Sequence, residues 1–149
     1  MVQEMEVVKD LASYFVHNGY GIRYEVPVQS VYYDLIDAPI PSSGVRDNHM
    51  RVDLLVWLVN AYRPRFTAIE VKTGYDWATI YQGLGQTMIY SAYFPSTWLA
   101  TGTRAIRKLR SYLGAIPVHV LDYNSKVLYI RSRKYDALRY LRGDRVETK

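Results

Sequence analysis

Arg51-Val52-Asp53-Leu54-Leu55-Val56-Trp57 and, a few residues on, Arg65-Phe66-Thr67-Ala68-Ile69-Glu70-Val71-Lys72-Thr73-Gly74 decide how this chain is read. Each is an apolar run broken by isolated charges. The stretch between them, Asn60-Ala61-Tyr62-Arg63-Pro64, has turn composition. The pattern predicts two strands, over 51–60 and 65–74, joined as an antiparallel hairpin. Strand side chains alternate between faces, so Glu70 and Lys72 point the same way as Ala68, and Ile69 and Val71 point the other way. Two carboxylates and a lysine at a sheet rim form a donor set that can hold a hard divalent cation and position a water, the chemistry of metal-assisted phosphodiester hydrolysis. The same residues also fit a plainer role, a same-face ion pair of Glu70 with Lys72, which stabilises little.

Working outward, residues 3–18 have helical periodicity. Val7, Val8, Leu11, Ala12 and Phe15 fall on one side of a helical wheel, and Glu6, Lys9, Asp10, Ser13 and His17 on the other. Glu4 breaks the pattern, because it projects near the centre of the apolar side. Gly19 and Gly21 end the helix. Residues 22–33 predict one long strand or two short ones, with Pro27 marking an edge or a bend. Residues 34–49 read as a loop, either a flap facing a substrate or merely a mobile segment.

Beyond the hairpin, a helix is expected over 76–93, with Trp77, Tyr81, Leu84, Met88 and Ala92 as its core stripe. A short buried strand follows over 97–101, then a basic helix from Arg104 to Leu113. Strands over 117–122 and 126–131 flank an Asn124-Ser125 turn, and a short helix near 133–141 precedes a charged tail. Alternation of helix and strand in the second half implies a parallel pair. The expected fold class is therefore α/β, with a mixed central sheet flanked by helices.

A chain of 149 residues with no repeat or linker fits one domain over 1–149, with a core over about 3–123 and a C-terminal extension over 124–149. Net charge is +5, which favours a polyanionic partner. The absence of cysteine excludes disulfides, zinc–thiolate sites and cysteine-held iron–sulfur clusters. With no signal-peptide pattern and no apolar run of spanning length, an intracellular, cytoplasmic protein is expected, neither secreted nor membrane-bound. Fifteen tyrosines suit both packing and base stacking.

Taken together, these motifs resemble the PD-(D/E)XK, or restriction-endonuclease-like, nuclease superfamily. Asp53 matches its first acidic position, with Val52 in place of the motif's proline, and Glu70-Val71-Lys72 matches its second half. Gln86-Thr87-Met88-Ile89-Tyr90 resembles the Gln-x-x-x-Tyr motif of the RecB-like branch. The resemblance covers about residues 3–102 and implies an αβββαβ core. It implies that Asp53, Glu70 and the Val71 carbonyl hold Mg²⁺ or Mn²⁺ and that Lys72 orients water or offsets phosphate charge, with Gln86 and Tyr90 as further catalytic-site residues. Glu4 would complete the metal site as the glutamate that many members carry on their first helix. Glu6 and His49 are the alternatives, while His17 reads as a surface residue.

Gln86 and Tyr90 are expected opposite the apolar stripe of their helix, together with Gln82. The segment from Trp77 to Thr103 has no charged residue, so that face is expected to meet another surface, nucleic acid or protein. Arg104, Arg107, Lys108 and Arg110 suggest a track for a DNA backbone, or alternatively a solvated helix face. Thr101-Gly102-Thr103 offers main-chain NH groups to a phosphate. The function these residues point to is a Mg²⁺-dependent DNA nuclease near the RecB-like branch. A Holliday-junction resolvase of the same fold is the enzymatic alternative and leaves a homodimer open. A non-catalytic nucleic-acid-binding protein that retains the fold is the alternative of another class.

Overall fold

The computed structural model describes residues 3–28, 50–62 and 64–148. Helix α1 (Glu4–His17) buries Val7, Val8, Leu11, Ala12 and Phe15, the predicted stripe. Its two first-turn glutamates suit the positive end of the helix dipole. It ends at Asn18, followed by Gly19 at φ +88°, a left-handed stop that glycine adopts without strain.

Strands β1 (Tyr20–Pro27), β2 (Arg51–Leu58) and β3 (Thr67–Lys72) form an antiparallel meander. Pro27 lies on the edge strand, where a missing N–H is harmless. Helix α2 (Trp77–Tyr90) then crosses to β4 (Ser96–Thr101), which pairs parallel to β3. Helix α3 (Thr103–Leu109) and a short 3₁₀ turn (Leu113–Ala115) lead to β5 (His119–Asp122), parallel to β4. Strands β6 (Val127–Ile130) and β7 (Arg133–Asp136) close the sheet as antiparallel neighbours, and α4 (Ala137–Leu141) follows. The result is a seven-stranded mixed sheet in chain order, β1 to β7.

Helices cover both faces. Against α1 pack Leu54, Val56, Ile69, Val71, Trp98, Ala100 and Leu121. On the other face Ile80 of α2 packs with Ala105, Ile106 and Leu109 of α3 and with Val118 and Val120, while Tyr90 and Phe94 pack with Val52, Leu55 and Ala68. Every residue of β3 is buried, as expected of a central strand covered on both sides.

Three expectations need correction. Residues 133–136 are a strand, not the start of a helix: Arg131 takes a left-handed turn (φ 55°) that folds the chain back and pairs Tyr135 with Leu128. Helix α3 stops at Leu109 instead of running to Leu113, because the chain tightens into 3₁₀ geometry, with Tyr112 N–H on the Leu109 carbonyl and Ala115 N–H on that of Tyr112. The third is the buried face of α2, which carries Ile80, Gly83, Thr87 and Tyr90 instead of the expected stripe. The expected loop over 34–49, the end of the first strand and His49 lie outside the described residues. Among the described residues, no helix is long and apolar enough to cross a membrane.

Candidate metal centre

The site begins where β2 and β3 part. Their pairing runs from Val56↔Thr67 to Leu54↔Ile69 and stops there. Alternation along β2 slips at the same point: Val52 and Leu55 face the α2 side, Leu54 and Val56 the α1 side. Asp53, at the slip, accepts the Val71 N–H at 2.8 Å through Oδ2. One carboxylate oxygen thus replaces a ladder hydrogen bond, and the side chain is fixed at the rim between the two strands.

Glu70 leans toward the same place from β3, and Glu4 arrives from the first turn of α1. One oxygen from each of Glu4, Asp53 and Glu70 lies within 4.8 Å of the others. A Mg²⁺ ion with oxygens at about 2.1 Å places neighbouring ligands roughly 3 Å apart and opposite ones roughly 4.2 Å apart. An upper bound of 4.8 Å puts the three carboxylates within small side-chain adjustments of a shared hard cation.

The electrostatics have the same focus. Glu70 is 4% exposed, and its Oε2 has no hydrogen-bond partner. Its Oε1 sits 3.7 Å from the Lys72 ammonium, so the same-face ion pair foreseen from the sequence is present. Burial pushes the Glu70 carboxyl up to about 8, the negative charge of Asp53 adds to this, and Lys72 only partly opposes it. Glu4, partly exposed, is also raised: burial dominates, Lys72 pulls the other way, and Asp53 adds a smaller push. The Glu70 Oε2 makes no well-formed hydrogen bond, although Tyr90 and Asp53 are near enough to act on the carboxyl, and with two further carboxylates beside it the site is short of positive charge. These residues fit a divalent cation.

Helix α2 covers this rim, but with a different face from the one the sequence suggests. Its buried residues are Ile80, Gly83, Thr87 and Tyr90, whereas Trp77, Tyr81, Met88 and Ala92 of the expected core stripe are exposed and Leu84 is only partly buried. The reason is close approach. A Cβ at Gly83 would sit 2.8 Å from both Lys72 Cγ and Leu99 Cδ1, so the helix reaches the strands through its small residues. This turns Tyr90 inward, 2% exposed, rather than onto a polar face. Its hydroxyl donates to the Arg51 carbonyl at 3.0 Å, and burial together with the nearby Glu70 carboxylate raises its pKa. Gln86 is half-buried, and its Oε1 has no partner.

The remaining candidates divide clearly. Val71 is fully buried, with its N–H held by Asp53. Glu6 is exposed and does not join the three carboxylates, and His17 bonds the Ser13 carbonyl on the outer face of α1. Arg104, Arg107, Lys108 and Arg110 are all exposed on α3 or at its end, while Ala105, Ile106 and Leu109 anchor the helix. The Thr103 N–H, expected to be open to a phosphate, is taken by Asn124 Oδ1 at 3.1 Å.

A groove of about 700 Å³ runs along the ends of β3, β4 and β5, between Val7 and Asp10 of α1 and Tyr75, Arg104 and Lys126. Around Tyr75 lies a cluster that the sequence does not single out. Arg104 and Lys108 sit 5.2 and 5.6 Å from the Tyr75 ring centre, and Lys108 is also 5.6 Å from that of Trp77. Trp77 stacks on Tyr81 and meets Tyr112 edge-on. The available signal was the absence of charge from 77 to 103. No family model, curated protein or solved structure matches the chain.

Proposed function

We propose that this protein is a metal-dependent DNA nuclease with a restriction-endonuclease-like αβββαβ core, nearest to the RecB-like branch of that superfamily. The observation that carries the reading is the convergence of Glu4, Asp53 and Glu70 from three separate elements on one point, with a buried Glu70 oxygen left unpartnered. The succession α1, β1–β2–β3 meander, α2, β4 parallel to β3 supports it.

In this reading Glu4, Asp53 and Glu70, with the Val71 carbonyl, hold Mg²⁺ or Mn²⁺. The bound cation supplies Lewis acidity to the scissile phosphate and lowers the pKa of a water. The Val71 N–H keeps Asp53 from turning away. Lys72, 3.7 Å from Glu70, stands where it can orient that water or offset negative charge growing on the phosphoryl oxygens. Tyr90 holds the Arg51 carbonyl, and so the start of β2, against α2. The exposed α3 cations and the net charge of +5 favour a DNA backbone.

The test is incubation with labelled single-stranded, duplex, flap and four-way-junction DNA in Mg²⁺, Mn²⁺ and EDTA, for the wild type and Glu70→Ala. Metal-dependent cleavage lost in Glu70→Ala is expected. Cleavage retained in Glu70→Ala or in EDTA overturns the assignment.

A further inference from the structure

We propose that Tyr75, Trp77, Tyr81 and Tyr112, with Arg104 and Lys108, form a stacking platform for the unpaired bases of single-stranded DNA, so that the preferred substrate is a single strand or a duplex with a single-stranded arm. The inference rests on the nuclease reading for its substrate and on separate residues for its geometry.

Three of the rings are in contact, Tyr75 joins them through Lys108, and all four are open. Trp77 and Tyr81 have centroids 5.6 Å apart at 30°, and Trp77 and Tyr112 are 6.1 Å apart, edge to face. Tyr81 is 64% exposed, Tyr112 57%, Tyr75 48% and Trp77 37%. Exposed single aromatics need no explanation, but three rings in contact, joined to a fourth through a shared cation, form a patch. α2 carries no charge to solvate it, and its core contacts are made by Ile80, Gly83, Thr87 and Tyr90. The rings are therefore not needed to hold the helix in place.

The cations are pinned among the rings. Arg104 Nη1 donates to the Tyr75 hydroxyl at 3.2 Å and its guanidinium lies over the same ring, while Lys108 lies over Tyr75 and Trp77. The acid beside them, Asp76, is engaged in capping α2 through Thr79, with a carboxyl held below its usual range by those bonds. Flat apolar faces interleaved with fixed positive charge match a strand whose bases are unpaired and whose phosphates run alongside. Paired bases have their faces stacked within the duplex and cannot use such a surface. Tyr75 and Arg104 also line the groove that reaches Val7 and Asp10 of α1, so one edge of the platform borders that groove.

The experiment is fluorescence anisotropy in EDTA with three labelled ligands of equal length: a single strand, a duplex, and a strand of abasic sites, which keeps the phosphates and lacks the bases. The proteins are the wild type and the double variant Tyr81→Ala/Tyr112→Ala, both sites being exposed enough for folding to be preserved. Expected are at least tenfold tighter binding of the single strand than of either other ligand, and a tenfold or greater loss of that binding in the double variant with duplex affinity unchanged. Equal affinity for the single strand and the abasic strand, or an unaffected double variant, overturns the platform. Tyrosine-dependent binding without cleavage in Mg²⁺ or Mn²⁺ would leave the platform standing and remove the nuclease reading. Cleavage without tyrosine-dependent binding would do the reverse.

Discussion

Two buried carboxylates lie on strands that flank β4, Glu70 on β3 and Asp122 at the end of β5, and their surroundings are opposite. Asp122 is 3% exposed and fully engaged: both its oxygens accept the Thr103 hydroxyl, at 3.1 and 2.9 Å, and Oδ1 also accepts the N–H groups of Asn124 and Ser125. It ties the start of α3 to the β5–β6 turn. Glu70, 4% exposed, has one lysine at 3.7 Å, two other carboxylates close by and an oxygen with no partner. A fold can hold a buried acid by giving it donors. Where it instead collects further acids, the missing partner is expected from outside. Asp122 is a structural carboxylate, whereas Glu70 is the one the proposed function assigns to the metal site.

The sharpest way to break this contrast is to remove each in turn. Glu70→Ala is expected to lower cleavage by about 100-fold or more, the scale for losing one transition-state electrostatic contributor, with no loss of thermal stability. Asp53→Ala and Lys72→Ala should do the same to cleavage. Asp122→Ala should show the reverse, a loss of about 2 kcal/mol or more as Thr103, Asn124 and Ser125 lose their acceptor, with cleavage kept below the new melting temperature. Rates and melting curves on the same preparations decide it. An unstable but active Glu70→Ala would mean the two carboxylates had been given the wrong roles.

Acidity sharpens the contrast next. In the folded, metal-free protein the Glu70 carboxyl is raised to about 8 from 4.5. The folded state therefore keeps a proton that the unfolded chain gives up. The sign follows: this contribution is fully present below about pH 4.5, is lost as pH rises toward 8 and is flat above, with a limiting slope of about 1.4 kcal/mol per pH unit. Glu70→Gln should remove that slope from melts recorded in EDTA. Added Mg²⁺ should stabilise the wild type more at pH 8 than at pH 5, because the ion binds the ionised form. A Glu70→Gln profile that follows the wild type would show that Glu70 is not the group responsible.

How much of this was legible in the sequence differs by element. α1 and the two acid-bearing strands were: the helix because its burial follows a period of 3.6, the strands because each is an apolar run broken by isolated charges on either side of a turn, and Glu4 stood out as the acid inside an apolar stripe. The face of α2 was not. A ranking by hydrophobicity puts Trp77, Tyr81 and Met88 inside, but the contact is set by how near the helix must come, and Gly83 and Thr87 permit that approach while large side chains do not. Tyr90 was therefore found as a motif residue and placed on the wrong side. β7 was illegible for another reason: Arg133-Lys134-Tyr135-Asp136 has one apolar residue, and its pairing comes from the turn at Arg131.

The smallest expected effect tests that helical phase directly. Glu4 and Glu6 are two residues apart on the first turn of α1, a rotation of about 200°. Only Glu4 reaches Asp53 and Glu70, while Glu6 is exposed on the outer side. Glu4→Gln keeps the shape and exchanges a charged oxygen for a neutral amide, a poorer ligand for a hard cation. Calorimetric titration with Mn²⁺ should show affinity lowered by about tenfold, well short of the loss from Glu70→Ala, because Asp53 and Glu70 remain. The melting temperature in EDTA should hold or rise slightly, since the neutral amide carries less of the burial cost that raises the Glu4 carboxyl. Glu6→Gln should leave Mn²⁺ affinity unchanged. If both substitutions weakened Mn²⁺ binding equally, the effect would be general loss of negative charge near the rim, and the site would reduce to Asp53 and Glu70 alone.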